Sequence, residues 1–372
     1  MKRVVLVGGG HSHVEVVRRF GARPITNTEI TLVDAARYAT YTGMLPGLIA
    51  SHYGFHDCHI DLAGLAQRAG ARYVQARACG IDTVQRRLAL SDGGTLDYDL
   101  LSLDVGSTPS TAEIPGAAEH AIAVKPFSVF EQAWDKLVER ARIGELKKLV
   151  VVGGGAAGVE LALAMQYRLA QLTAPVTIQF TLFADARSVL SDHNPRVRAA
   201  FARLLSQRGI EMRLNARVAR VESDAVVTSN AARIATDAAV WATGTGAPAW
   251  LADTGLALDA QGFVAVNEHL QTTLHGEVFA AGDCATMEGH AYPKSGVYAV
   301  RQGPVLAENL RNALSGIPLA KFRPQRRALS LISAGQKYAV ASYGWLSFEG
   351  AWVWRWKDAI DRKFVARYTV KN

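Results

Sequence analysis

Cysteine is scarce in this chain, with three in 372 residues, at Cys58, Cys79 and Cys284. They are widely spaced, form no Cys-x-x-Cys pair and follow no metal-ligand spacing. A disulfide framework and a metal centre are thereby excluded as organising features, and a reducing, cytoplasmic compartment is expected. Long apolar runs are missing too. No window approaches the ~20 apolar residues that a membrane span needs. Met1 leads straight into a strand pattern, so no signal peptide is expected. Charge of one sign is not extreme: the net +8 favours small anionic partners, and no nucleic-acid recognition motif accompanies it.

Glycine, by contrast, is plentiful and placed with purpose. Val4-Val5-Leu6-Val7 reads as a buried strand, and Gly8-Gly9-Gly10 makes a turn too tight for side chains. His11-Ser12-His13-Val14 then opens an apolar-patterned helix. In a Rossmann half such glycines bring the backbone against a pyrophosphate, which rests on the positive end of the helix. Asp34 closes the next apolar run, about 20 residues further on, where an acid accepts a ribose hydroxyl hydrogen bond. His13 stands where a third glycine is usual, so the helix is expected to sit further out or to tilt.

The unit recurs. Leu149-Val150-Val151-Val152-Gly153-Gly154-Gly155-Ala156-Ala157-Gly158 repeats the opening pattern, with the fingerprint glycines Gly153, Gly155 and Gly158 all present. A second echo pairs Leu103-Asp104-Val105-Gly106-Ser107 with Ala242-Thr243-Gly244-Thr245-Gly246. Two such units imply two dinucleotide sites, as two electron-exchanging cofactors require. The expected fold is α/β, with two Rossmann-like domains and a small C-terminal α+β region. The first domain takes residues 1–115 and 261–325, the second 116–260, and the C-terminal region 326–372. Ser107 to Gly116, rich in turn formers, reads as the crossover between domains.

Helices are expected over 127–143, from the Asn194-Pro195 cap, and from Tyr292–Pro304 to about Leu314. Ala216 to Val227 suggests a β-meander, and 328–343 one or two strands. In the tail, Val353, Trp356, Ile360 and Phe364 fall on one helical stripe. Arg355, Lys357, Arg362, Lys363 and Arg367 lie mostly off it. Four tryptophans with basic neighbours suit a helix at a membrane interface; docking on the chain's own sheet or on a partner subunit would use the same stripe.

The two fingerprints, the closing segments, Ala281-Gly282-Asp283 and Val300-Arg301-Gln302-Gly303-Pro304 together resemble the two-dinucleotide-domain flavoproteins. That group includes disulfide reductases, type II NADH dehydrogenases and sulfide:quinone reductases. Within it, Gly8 to Val14 and the tail resemble type II NADH dehydrogenases and the flavoprotein module fused to selenophosphate synthetase. The resemblance implies FAD on the first domain and NADH or NADPH on the second. Gly8, Gly10, His11, Ser12, His13, Asp34, Gly106, Gly282, Asp283 and Gln302 would hold the flavin. Gly153, Gly155, Gly158, Arg187 and Gly244 would hold the nicotinamide nucleotide. For His11 and His13 a packing role stays open beside a role near the cofactor. Ala184 replaces the second ribose-binding acid, and Arg187 could meet a 2′-phosphate.

Disulfide reductases carry a redox cysteine pair after the first acidic residue. Here that region reads Tyr38-Ala39-Thr40-Tyr41-Thr42-Gly43-Met44-Leu45-Pro46-Gly47, without sulfur nucleophiles. Transfer from NAD(P)H through flavin to a quinone-like acceptor is therefore expected. A sulfide- or selenide-linked reaction, or a flavin-binding sensor or partner module without turnover, is the alternative. Glu160 resembles the glutamate near the nicotinamide in this family, and Lys294 is a candidate for charge stabilisation on the reduced flavin. A peripheral site on the inner face of the membrane and a homodimer both remain open.

Overall fold

A computed structural model describes residues 1–369 except Ser110, Ala112, Glu113, Ala291 and Arg326. Part of the expected crossover at 107–116 thus lies outside the described residues. The chain opens with β1 (Lys2–Val7), α1 (His11–Ala22), β2 (Thr28–Asp34), β3 (Arg72–Gln75) and β4 (Leu100–Leu103). A second series follows: β5 (Ala121–Ala123), α2 (Phe127–Arg142), β6 (Lys148–Val152), α3 (Ala156–Thr173) and β7 (Gln179–Phe183). It continues with α4 (Pro195–Gln207), β8 (Ile210–Arg213) and β9 (Ala238–Trp241). The chain then returns to the first sheet through β10 (Val278–Ala280) and α5 (Gly296–Ser315).

Two five-stranded sheets result, in the orders β10-β4-β1-β2-β3 and β5-β9-β6-β7-β8. All their pairings are parallel. Parallel sheets are covered on both faces and need unbroken apolar runs. Val4–Val7 and Leu149–Val152 supply them, each residue 5% exposed or less. The fold is α/β with two Rossmann-like sheets. The helix expected from Asn194 begins there, with its side-chain oxygen accepting N–H bonds from Arg196 and Val197, both 3.1 Å. The expected meander is an antiparallel set, Val218–Val221, Ala225–Thr228 and Arg233–Ala235.

The tail folds as an antiparallel sheet of β11 (Ser330–Ala334), β12 (Gln336–Tyr343) and β13 (Leu346–Gly350), followed by α6 (Ala351–Val365). Gly335 has φ +81°, and a side chain there would collide with the Leu163 carbonyl of α3. This close approach fixes the tail against the second glycine-rich helix. The expected stripe on α6 is corrected. Val353 and Phe364 are buried, but Trp356 and Ile360 are 41% and 42% exposed. The buried face instead carries Val353, Trp354, Lys357, Asp361, Phe364 and Val365. Two of these are charged, and their partners explain why.

Candidate functional site

The first glycine turn is built around a buried acid. Gly8 has φ +93°, and a side chain there would collide with the Asp104 carbonyl; side chains at Gly10 or Gly282 would collide with the Asp104 carboxyl. That carboxyl accepts the N–H groups of Ser12 (2.8 Å) and His13 (3.2 Å), capping α1 from β4. Burial pushes it up to about 7. Asp34 stands at the end of β2 and accepts the Gly9 N–H at 2.6 Å and the Ala36 N–H at 2.7 Å. Gln302 accepts the Gly282 N–H at 2.7 Å and donates to the Tyr292 hydroxyl at 3.0 Å. Asp283 pairs with Lys125 at 3.0 Å, and the same amine donates to Ser107 Oγ at 2.7 Å. Gly106 turns the chain out of β4 with φ +71°.

The two histidines of α1 differ sharply. His13 is fully buried, with Nδ1 on the Gly8 carbonyl at 2.7 Å and Nε2 on Ser102 Oγ at 2.8 Å. Both ring nitrogens are engaged by the protein, so this side chain braces the turn and has none left for a cofactor. Ser12 likewise spends its hydroxyl on the Ala299 carbonyl at 2.8 Å. His11 Nε2 is buried and has no partner. Its ring stands edge-on to Tyr41 (5.3 Å) and tilted against Phe364 (5.8 Å), and burial holds its pKa down at about 4. A neutral imidazole with its buried Nε2 unpaired thus stands between these rings.

The second turn is similar but emptier. Gly153 has φ +135°, and a side chain at Gly158 would collide with the Gly153 carbonyl, so α3 lies tight on β6. Nothing stands within 4 Å of where a Gly155 side chain would be, which leaves the backbone open to a ligand. Ala184 is buried against Gly154 at the end of β7, whereas Asp185 and Arg187 are exposed. Gly244 follows β9 with φ +69°.

Between the two turns lies a charged cluster that sequence reasoning missed. Lys357 and Asp361, with side chains 8% and 7% exposed, form an ion pair at 2.5 Å. The Lys357 amine also donates to the Gly43 carbonyl at 2.5 Å, and Tyr41 donates its hydroxyl to Asp361 at 3.1 Å. Tyr41 stacks on Phe364 with centroids 4.4 Å apart. Glu160, one turn into α3, accepts the Ser333 N–H from β11 at 2.6 Å. Burial raises its pKa to about 7, and the nearby Lys357 charge opposes that rise. The tail thus joins the first turn, through His11 and Tyr41, to Glu160 of the second.

Lys294 is not among these groups. Its amine donates to the Ala285 carbonyl and to Thr286 Oγ1 (2.8 Å), and it lies 3.9 Å over the Phe263 ring. Burial lowers its pKa. None of Asp104, Lys125, Lys357 and Asp361 was among the site residues expected from the sequence. Only Asp104 carried a signal, its place in the echoed closing segment. Among the described residues, no cluster of three or more His, Cys, Asp or Glu could hold a metal.

Two parallel sheets with glycine turns at the carboxyl ends of their central strands define a protein that binds two dinucleotides. The model of the family described as pyridine nucleotide-disulphide oxidoreductase matches residues 2–303, and the chain belongs to that family. The chain is 27% identical to an NADH dehydrogenase-like protein of Mycobacterium tuberculosis, over 93% of this chain and 88% of that one. It is 26% identical to the type II NADH:quinone oxidoreductase of Haemophilus influenzae, over 87% and 83%. Its fold superposes on NDH2 from Plasmodium falciparum, solved with NADH, with a TM-score of 0.82 at 14% identity, covering 99% and 97%. The protein is an FAD-dependent NAD(P)H dehydrogenase of this family. Its own residues fit a flavin: Gly8, Gly10 and Gly282 leave no room for side chains around Asp104, and the buried His11 Nε2 is left without a partner.

Proposed function

We propose that the protein passes electrons from NAD(P)H to a quinone-like acceptor, without a redox disulfide. The observation that carries this reading is the Lys357–Asp361 pair, which α6 places between Glu160 and Tyr41. When bound, FAD supplies the two-electron carrier between nucleotide and acceptor. The chain's residues supply the rest. Gly8, Gly10, Asp34, Gly282 and Gln302 position the flavin, with Asp283 and Lys125 forming a polar wall beside it. Gly153, Gly155, Gly158 and Gly244 shape the nucleotide site, where Arg187 is free to meet a 2′-phosphate.

Reducing a quinone consumes two electrons and two protons, so an acid that holds a proton near neutral pH suits the junction. Glu160 has that property. Lys357, held in place by its ion pair with Asp361, stands ready to meet any group becoming anionic nearby. Sulfur chemistry finds little support: Cys58 and Cys284 are buried, with thiols pushed up to about 12. The test is anaerobic addition of NADH, then NADPH, while following flavin absorbance near ~450 nm, a band FAD brings with it. Fast bleaching, reversed by a quinone analogue, is expected. No bleaching by either nucleotide overturns the reading and points to a binding module.

The outer face of α6, with Trp345 and Phe348 of the adjoining β12–β13 hairpin, supports a further part of it. Trp345, Phe348, Trp352, Trp356 and Ile360 are between 41% and 68% exposed, and Trp352 stacks on Trp356 at 6.5 Å. Arg355 and Lys363 are exposed on the same helix. Aromatic rings with a basic rim fit an anionic lipid surface. No helix among the described residues is long and apolar enough to cross a membrane, so the contact proposed is peripheral. Replacing Trp352 and Trp356 together by serine is expected to reduce co-sedimentation with phosphatidylglycerol vesicles at least tenfold. If sedimentation shows instead that the pair holds two copies of the chain together, the face belongs to a homodimer and the lipid assignment is lost.

A further inference from the structure

A cavity of about 580 Å³ opens where α5 meets the tail, lined by Arg301, Gln325, Arg327, Leu329 and Tyr343. No acid is among these lining residues, so two guanidinium groups share the space without a carboxylate to neutralise them. The side-chain oxygen and nitrogen of Gln325 are both buried without a hydrogen-bond partner. A buried amide with both ends unmade is costly unless something else completes it. Leu329 and Tyr343 form an apolar wall beside these polar groups. Guanidinium forks, a spare amide and a flat apolar wall match one ligand chemistry, an anionic group on a planar apolar body.

The cavity is tied to the flavin cradle through short links. Arg301 adjoins Gln302, which holds the Gly282 N–H. Tyr298 donates to the Gln325 carbonyl at 3.4 Å and stacks on Tyr292 at 4.8 Å, and Tyr292 receives the Gln302 amide. On its other side, Tyr343 ends β12 two residues before the exposed Trp345. The cavity therefore lies between the flavin side of α5 and the aromatic surface of the tail.

We propose that this cavity binds an organic anion, with Arg301 and Arg327 taking its charged group, Gln325 completing its hydrogen bonds, and Leu329 and Tyr343 holding its apolar part. Anion binding stands by itself; the anion's being a substituent of the electron acceptor rests on the acceptor reading above. The shared chemistry has two sources, a soluble aromatic acid or a lipid headgroup.

The probe is 1,4-naphthoquinone-2-sulfonate, titrated by calorimetry into the flavin-loaded protein without nucleotide. Arg301→Gln and Arg327→Gln are each expected to weaken binding about tenfold, as loss of a charge-assisted contact does, with the thermal midpoint unchanged. In turnover, kcat/KM for the sulfonate should fall by the same factor, with unsubstituted 1,4-naphthoquinone unaffected. Phosphatidylglycerol vesicles that displace the sulfonate assign the anion to a lipid headgroup; a sulfonate retained in their presence assigns it to a soluble acid. Wild-type sulfonate affinity in both variants overturns the proposal. If the variants lose the sulfonate but nucleotides never bleach the wild-type flavin, the anion site stands and the acceptor reading falls.

Discussion

Lys357→Ala is expected to cost about 3–5 kcal/mol of stability, the range for breaking one side of a buried ion pair. Urea unfolding of the flavin-free protein measures it. Both side chains of the pair are nearly inaccessible, and the amine satisfies Asp361 at 2.5 Å and the Gly43 carbonyl at 2.5 Å. Removing it leaves the Asp361 carboxyl, among the described residues, with the Tyr41 hydroxyl as its side-chain partner. A loss below ~1 kcal/mol, the level of a surface pair, would mean that water reaches the pair. Lys357→Met with Asp361→Leu replaces both charges by apolar side chains of comparable reach. Stability should then return to near the wild-type level, because such replacements are often neutral or better. Turnover with a quinone should not return. Stability without turnover would separate the pair's part in the chemistry from its part in packing, and full activity in the double variant would remove Lys357 from the reaction.

Glu160→Gln should become more stable relative to the wild type as pH rises from ~4 to ~8, by up to about 3 kcal/mol. The pKa of Glu160 rises from 4.5 to about 7 on folding, chiefly through burial. The folded protein therefore holds this proton more tightly than the unfolded chain. The contribution is fully present below 4.5 and is lost as pH climbs through about 7. Glutamine has no such dependence. Asp104, raised to about 7, acts in the same direction, while His11 and His13, lowered to about 4, gain stability over much of the same interval. These opposing terms flatten the wild-type curve, so the difference between the two proteins is the quantity to measure, by denaturation at several pH values. Quinone turnover of the wild type should decline above about pH 7, and the variant should turn over slowly without that decline. A variant with the wild-type pH profile would exclude Glu160 from proton handling. Retaining a residue that weakens the fold at neutral pH suits a group kept for chemistry.

The sheets and turns were legible because their causes are local. Val4–Val7 must be apolar to be a central parallel strand, and Gly8 must lack a side chain to pass the Asp104 carbonyl. The site between the turns was not legible, because its causes are distant in sequence. Lys357 looks like solvent-facing charge beside Trp356, and Trp356 looks like core. The structure reverses both, since two rows share Val353 and Phe364 and sequence alone favours the more aromatic row. What selects the other is Asp361, Gly43 and Tyr41, and two of these three lie more than 300 positions away. Lys125 is similar: its partner Asp283 belongs to a different sheet's connections. His13 was legible in one respect. A bulky residue in place of a third glycine needs somewhere to go, and Ser102 and the Gly8 carbonyl accommodate its ring.

The two faces of α6 have a practical consequence for anyone wishing to obtain this protein without its sticky tail. Its outer face carries the exposed tryptophans, while its inner face carries the ion pair beneath Tyr41. A single rigid rod serves both, with no joint at which a cut could divide them. Trimming the C-terminus to improve behaviour in dilute buffer would unplug the junction between the two glycine turns. Redesign of the surface must therefore proceed side chain by side chain, leaving the rod in place.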